Sequence, residues 1–359
     1  MRVEVVVVGA GQAGLSAAYH LQRVGVADFV VLDDAAGPGG AWQHRWPALT
    51  LRRAHGVHEL PGMPMPHVDA SEPAAGVVAR YFGMFERHFA LPVHRPGHVR
   101  AVRDARPDEA DPAERRLAVE TDAGTWFARA VVSATGTWSR PFWPVYPGRE
   151  TFAGRQLHSR DHRSAAEHAG RDVLVVGGGT SAVQLLLEIA PVARSTTWVT
   201  RRPPDWGEPE LDEDARRAAV ARVAERTRAG LPPGSVVSAT GLPLTPEVRR
   251  ALEAGVLHRL PMFARILPGG VEWDPADVPP APPSLAVDTI LWATGYRPAV
   301  GHLAPLRLRG PGGGIRLDGT SVVDDPRVQL VGYGPGASTV GANRAGREAV
   351  RNLRRLLEL

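Results

Sequence analysis

The chain of 359 residues contains no cysteine. That absence removes disulfide frameworks, thiolate metal sites, cysteine nucleophiles and Cys-x-x-Cys redox centres together, so any redox chemistry must be carried by a bound cofactor. Lysine is also absent: all 42 basic residues are arginine. A P-loop and a Schiff-base lysine are thereby excluded. Against 38 acids the net charge is only +4, and the arginines are scattered without a sustained basic block, which argues against a nucleic-acid partner. The pI near 10.0 follows from composition, because with neither thiol nor lysine to titrate the small excess persists until tyrosine ionises. There is no long apolar run, and the first residues enter a strand instead of a signal pattern. The expectation is a soluble, cytoplasmic protein without membrane association. The histidines are dispersed along the chain, and no metal site is expected.

What is present is organised around glycine. With 43% hydrophobic residues, the chain can bury one large core or two medium ones, which makes two domains the starting expectation. Val3 to Val8 is a continuous β-branched run, suited to a parallel strand buried on both faces. It enters Gly9-Ala10-Gly11-Gln12-Ala13-Gly14, then an Ala- and Leu-rich helix around Leu15 to Val24, then a strand Phe29 to Leu32 ending at Asp33. Strand, G-x-G-x-x-G, helix, strand and acid form a dinucleotide-binding unit. The glycines let the backbone approach a pyrophosphate, and the carboxylate accepts ribose hydroxyls. Val173 to Val176 enters a second such turn, with Gly177 and Gly179 matching Gly9 and Gly11, and Ala182 matching Gly14, at a constant offset.

Carrying that offset forward places Arg201, followed by Arg202, where the first unit has Asp33. An acid suits a free 2'-hydroxyl, whereas arginine suits a 2'-phosphate, which it grips with parallel charged hydrogen bonds. Two different nucleotides are therefore expected, one like FAD and one like NADPH; a solvated arginine loop is the alternative. A short strand, Ala-Thr-Gly and then Arg-Pro occurs twice, at Val131 to Pro141 and at Thr289 to Pro298. The repetition suggests a domain inserted between the two phrases. Gly39-Gly40-Ala41-Trp42 suits either close backbone approach to a flat ring or a loop anchored by a buried indole. Glu208 to Ala229 is charged, with an imperfect stripe of Leu211, Ala215, Val220 and Val223, and reads as a surface helix or lid.

Five motifs in order, GAGQAG, GGAW with RWPAL, FAGRQLHS, GGGTSA and ATGYRP, resemble those of the class B flavin-containing monooxygenases, most closely small bacterial members. The most specific is Phe152, Gly154, His158 and Ser159, which looks like the fingerprint those enzymes share with Baeyer-Villiger monooxygenases. His162 departs from it, standing where an aromatic residue or proline is usual.

The resemblance implies an α/β fold of two Rossmann-like, glutathione-reductase-like domains, the second inserted in the first. The FAD domain would comprise 1–145 and 291–359, and the NADPH domain 146–290. FAD would be held by Gly9, Gly11, Gly14, Asp33, Gly40, Trp42, Gly136, Gly332 and Thr339. NADPH would be held by Gly177, Gly179, Thr180, Ser181, Arg201, Arg202 and Gly295. The implied chemistry is oxygen transfer from a flavin C4a-(hydro)peroxide to a small sulfide, amine or ketone, with molecular oxygen as co-substrate; a homodimer is allowed for. Arg52 aligns with a flavin-facing position and is the candidate catalytic residue, either favouring a peroxyanion by its charge or lying on the surface. An NADPH-dependent flavin reductase without oxygen transfer, or a low-turnover cofactor-binding regulator, are the alternatives.

Overall fold

In a computed structural model the chain is described over residues 1–359 except 55–56, 111–113, 208–212, 235–240, 279, 338 and 359. It divides into two compact units. Met1–Ser139, Ala218–Val236 and Pro298–Leu359 form the first; Arg140–Arg217 and Val237–Arg297 form the second. Ala218–Val236, expected in the inserted domain, thus belongs to the first unit. The reason is packing: Val223 is buried, a Cβ on Gly334 would meet Thr227 Cγ2 at 2.8 Å, and Gly314 N–H donates to Gly230 O at 3.0 Å.

The first unit begins β1 (Arg2–Val8), α1 (Gln12–Arg23), β2 (Phe29–Leu32), α2 (Ala74–His88), β3 (Val93–His94), β4 (Val99–Asp104), β5 (Leu117–Thr121) and β6 (Gly124–Ser133). β1 lies between β2 and β6, all parallel, and the later strand Val328–Leu330 extends the parallel sheet beyond β6. Val5 and Val7 face a cluster with Leu15, Phe82 and Leu353, while Val6 and Val8 face a second cluster with Val30, Leu117 and Val328. Both faces of β1 are buried, which is why its sequence does not alternate. Trp126–Phe127 and Val131–Ser133 lie on one strand, β6. Its outer half pairs antiparallel with β5 and its inner residues continue beside β1. The C-terminal helix Thr339–Leu357 packs on α1. A Cβ on Gly346 would lie 2.7 Å from Ser16 Oγ and 2.8 Å from Ala17 N, so the two helices approach more closely than any side chain there allows.

The second unit contains β7 (Arg155–His158), β8 (Asp172–Val176), α3 (Thr180–Ile189) and β9 (Ser195–Val199). Its parallel sheet runs in the order Arg259–Leu260, β9, β8, Thr289–Trp292, β7. An antiparallel group, Arg265–Leu267, Gly270–Glu272 and Ser284–Ala286, covers one face, with Ile266 and Val271 packed among Leu174, Val176 and Trp292. After β9 comes α4 (Glu213–Arg228). On the stripe read from the sequence, Val223 is buried and Val220 exposed; Leu211 and the side chain of Ala215 lie outside the described residues. Among the described residues no helix is long and apolar enough to cross a membrane.

Candidate functional site

Both glycine turns are built alike. Gly9 (φ 101°) and Gly177 (φ 141°) adopt backbone conformations that L side chains rarely enter. A Cβ on Gly9 would meet Ala134 O at 2.7 Å, and one on Gly177 would meet Ala293 O at 2.2 Å. Each Ala-Thr-Gly phrase thus lies beside the first glycine of its own turn, with Ala134 N–H donating to Val8 O and Ala293 N–H to Val176 O, both at 2.8 Å. Gly14 completes the first turn: a Cβ there would stand 1.8 Å from Gly9 O. α1 and α3 have Gly11 and Gly179 at their N-caps, with no side-chain cap and no acid in the first turn. The contrast is the helix Pro246–Glu253, where Thr245 caps Val248 N–H. No side chain therefore competes for the first turn of α1 or α3, where the positive end of the helix dipole suits an anion, although Ala182 N–H already donates to Gly179 O at 2.9 Å.

Around the first turn the glycines gather. A Cβ on Gly40 would lie 2.8 Å from Gly11 Cα, and one on Gly332 would come within 4.0 Å of Gly136 Cα and 3.9 Å of Ala13 Cβ. Gly136 and Gly332 both have positive φ. Side chains at these positions would fill the cradle, so the residues present fit a bound pyrophosphate-linked cofactor. Thr339 opens the C-terminal helix, but its side chain lies outside the described residues. Trp42 is half-buried. Arg45 Cζ stands 5.7 Å from the Trp42 ring and 5.0 Å from the Trp138 ring, and His44 stacks on Trp138 at 5.9 Å, so the Trp42 loop is anchored by cation–π contacts.

Asp33 is buried at the end of β2. Its Oδ1 accepts from Ala10 N–H at 3.2 Å, and its Oδ2 from Arg95 Nε at 2.7 Å. Arg95 also makes a two-pronged bond to Glu86 at 2.7 and 2.8 Å. Burial opposes charge on Arg95, but the Glu86 and Asp33 carboxylates hold its pKa above the ordinary value. Sequence reading missed Arg95 and Glu86, since nothing local marks them as partners of Asp33. Arg52 lies exposed on a turn, its backbone N–H donating to Ala70 O at 2.9 Å.

In the second unit the strand ends bring Gly177, Thr180, Ser181, Arg201, Arg202, His158, Ser159 and Gly295 to one edge of the sheet. Such carboxyl-end edges are where open parallel sheets take ligands. Thr180 and Ser181 open α3 and are half-buried, while Arg201 and Arg202 are exposed. The fingerprint works structurally. Phe152 is buried, and a Cβ on Gly154 would lie 2.5 Å from both Phe152 Cζ and Asp288 O. His158 is fully buried. Its Nδ1 accepts from Arg160 N–H at 3.2 Å, so its Nε2 is the nitrogen that carries hydrogen and donates to Gly295 O at 3.1 Å. Burial lowers its pKa despite that bond, and the neutral ring ties β7 to the second Ala-Thr-Gly turn. Ser159 N–H donates to Trp292 O at 2.9 Å. The linkers that follow the two Ala-Thr-Gly phrases run together, Arg297 N–H donating to Arg140 O at 2.8 Å.

His162, where the family pattern fails, is fully buried. Its Nε2 lies 3.1 Å from Glu188 Oε1 on α3, and its Nδ1 lies 3.3 Å from His168 Nε2. Among the described residues His168 Nδ1 is buried without a hydrogen-bond partner, and burial, followed by the neighbouring His162, lowers the His168 pKa to about 4. The cluster joins the loop after β7 to α3. Among the described residues no group of three or more His, Asp or Glu side chains can hold a metal ion.

The chain is similar to known proteins. The sequence profile described as pyridine nucleotide-disulphide oxidoreductase matches residues 6–224. A flavin-containing monooxygenase from Stenotrophomonas maltophilia superposes with a TM-score of 0.81 at 38% identity, covering 99% of each chain. The chain belongs to the flavin-containing monooxygenase family. A Baeyer-Villiger monooxygenase of Streptomyces coelicolor is 33% identical over 211 residues, 58% of this chain and 40% of that protein. An indole-3-pyruvate monooxygenase of Oryza sativa is 33% identical over 198 residues, 55% of this chain and 47% of its own length. The chain spans about half the length of the curated relatives it matches. Within the wider fold, bacillithiol disulfide reductase of Bacillus cereus superposes at a TM-score of 0.69 with 17% identity, a likeness of fold alone. This flavin-containing monooxygenase family member has no cysteine with which to reduce a disulfide.

Proposed function

We propose that the protein is an NADPH-dependent flavoprotein monooxygenase that oxygenates a small sulfide, amine or ketone. FAD is assigned to the first unit and NADPH to the second. The observation that carries this reading is the pair of uncapped helix starts behind glycine turns, one followed by the buried carboxylate of Asp33 and the other by Arg201 and Arg202. The first-turn N–H groups of α1 and α3 each receive a pyrophosphate, Asp33 accepts ribose hydroxyls, and the two arginines take a 2'-phosphate. Bound FAD supplies electron transfer and oxygen activation, chemistry for which this cysteine-free chain has no side chain of its own. The family relationship over 99% of the chain supports the same reading.

The test is turnover of FAD-loaded protein with NADPH and isotopically labelled dioxygen, across a panel of sulfides, amines and ketones. Label is expected in at least one product, in proportion to NADPH consumed. NADPH oxidation that only reduces quinones or releases hydrogen peroxide, for every compound, would replace this reading with a flavin reductase. Failure of NADPH to reduce the flavin at all would leave a cofactor-binding protein.

A further inference from the structure

At the carboxyl end of β9 the chain turns through Thr200, Arg201 and Arg202, and a third arginine reaches this turn from the adjacent strand. Arg259 pairs with Trp198, and Leu260 with Val199, in the parallel register of the two strands. Arg259 Nε donates to Thr200 Oγ1 at 3.0 Å, and its Nη2 donates to Thr200 O at 2.9 Å. The Thr200 hydroxyl, accepting from Arg259, has its own hydrogen free to donate and gives it to Arg202 O at 2.5 Å. Thr200 is only 2% exposed, and its backbone N–H is bound to Leu260 O at 3.2 Å. One guanidinium thus holds the residue that in turn closes the backbone over Arg201.

Among the described residues, some arginines of the second unit are ion-paired and others are not. Arg155, Arg194 and Arg265 pair with Glu167, Asp172 and Glu272 respectively. Among the described residues, Arg201, Arg202 and Arg259 have no carboxylate within the 4.0 Å ion-pair distance. Arg259 spends two of its nitrogens on neutral oxygens, so its charge stays uncompensated although the residue is half-buried. Three like charges gathered at one strand end repel one another, and a dianion relieves that repulsion. A phosphate monoester carries between one and two negative charges near neutral pH, so it matches a cluster better than a single arginine.

Resting on the NADPH reading above, we propose that Arg259 is the third cationic residue of the adenosine 2'-phosphate site and the positioning residue that fixes the Arg201–Arg202 turn. Its role is selectivity for the 2'-phosphorylated cofactor, with little effect on binding the rest of the nucleotide.

The measurement is calorimetric titration of the FAD-loaded protein with adenosine 2',5'-bisphosphate and, separately, AMP, which requires no turnover. The wild-type chain is expected to bind the bisphosphate about tenfold or more tighter than AMP, the scale of one charged hydrogen bond. Arg259→Gln is expected to lower that ratio about tenfold while changing AMP affinity less than about twofold. If Arg259→Gln does not fold, Arg259→Lys keeps the charge but loses the Nε bond to Thr200, and a fall of about threefold in the same ratio is expected. Equal losses for both ligands would make Arg259 a structural strut only, and an unchanged ratio would remove it from the site; either overturns the inference. The variant Arg201→Ala with Arg202→Ala separates the two levels. If it lowers the ratio while Arg259→Gln does not, the NADPH reading stands and only the Arg259 inference falls. If the wild type shows no preference for the bisphosphate, the NADPH reading falls with it.

Discussion

Single residues here take their meaning from partners far away in sequence. Asp33, placed by its position after a glycine turn, is readable from the chain, but Arg95, 62 residues later, is what fixes its carboxylate. Arg52 illustrates the opposite case. It is exposed, and Asp69 is close enough to feel its charge. On the sequence reading that it faces the flavin, its guanidinium would stabilise negative charge during oxygen transfer. Arg52→Ala is then expected to lower, by about tenfold, the fraction of NADPH consumption coupled to oxygenated product, with hydrogen peroxide making up the difference. The measurement is product and peroxide yield per NADPH; an unchanged coupling ratio would reduce Arg52 to a surface arginine. His162 was legible only as a departure from a family pattern. Its side chain could not be read as one end of a buried Glu188–His162–His168 chain, because the three positions share no local periodicity.

At the level of elements, the glycine turns were the most legible feature, because the constraint is local: a strand that enters a helix this tightly needs residues without a Cβ. Gly177 combines φ 141° with a Cβ position 2.2 Å from Ala293 O. Gly177→Ala is therefore expected to push β8 away from the strand Thr289–Trp292 and destabilise the second unit by about 1–3 kcal/mol. Chemical denaturation compared with the wild type reads this; a loss within about 0.5 kcal/mol would mean that the turn relaxes without penalty. The fingerprint residues Phe152 and His158 were also visible as a motif. Their action was not, since His158 meets Gly295 across 137 residues. β6 serves two environments, its outer half paired in a hairpin with β5 and its inner half beside β1 in the core, a division no local pattern marks.

For the molecule as a whole, burial of neutral histidines sets a pH dependence of stability. Burial is the largest cause that lowers His20, His168 and His302 from 6.5 to about 4. His302 Nε2 is 3.1 Å from Ser133 Oγ, and both residues are buried. The unfolded chain therefore takes up protons as pH falls through 6.5, whereas the folded chain does so only near 4. Stability is fully present above the unfolded value and declines between the two. Denaturant midpoints are expected to fall from pH about 7 to about 5, and His302→Gln to flatten that slope; an equal slope in the variant would remove His302 as a contributor. By itself the sequence determined the two glycine turns, the repeated Ala-Thr-Gly phrase and the acid-versus-arginine difference between the turns, because each follows from residues adjacent in the chain. Only the tertiary structure decided that Ala218–Val236 belongs to the first unit, that Arg95 clamps Asp33, and that Arg259 joins Thr200 across 59 residues. Parallel sheets connect through crossovers, so strand ends remote in sequence share one edge, and which residues meet there is set by register that no local pattern encodes.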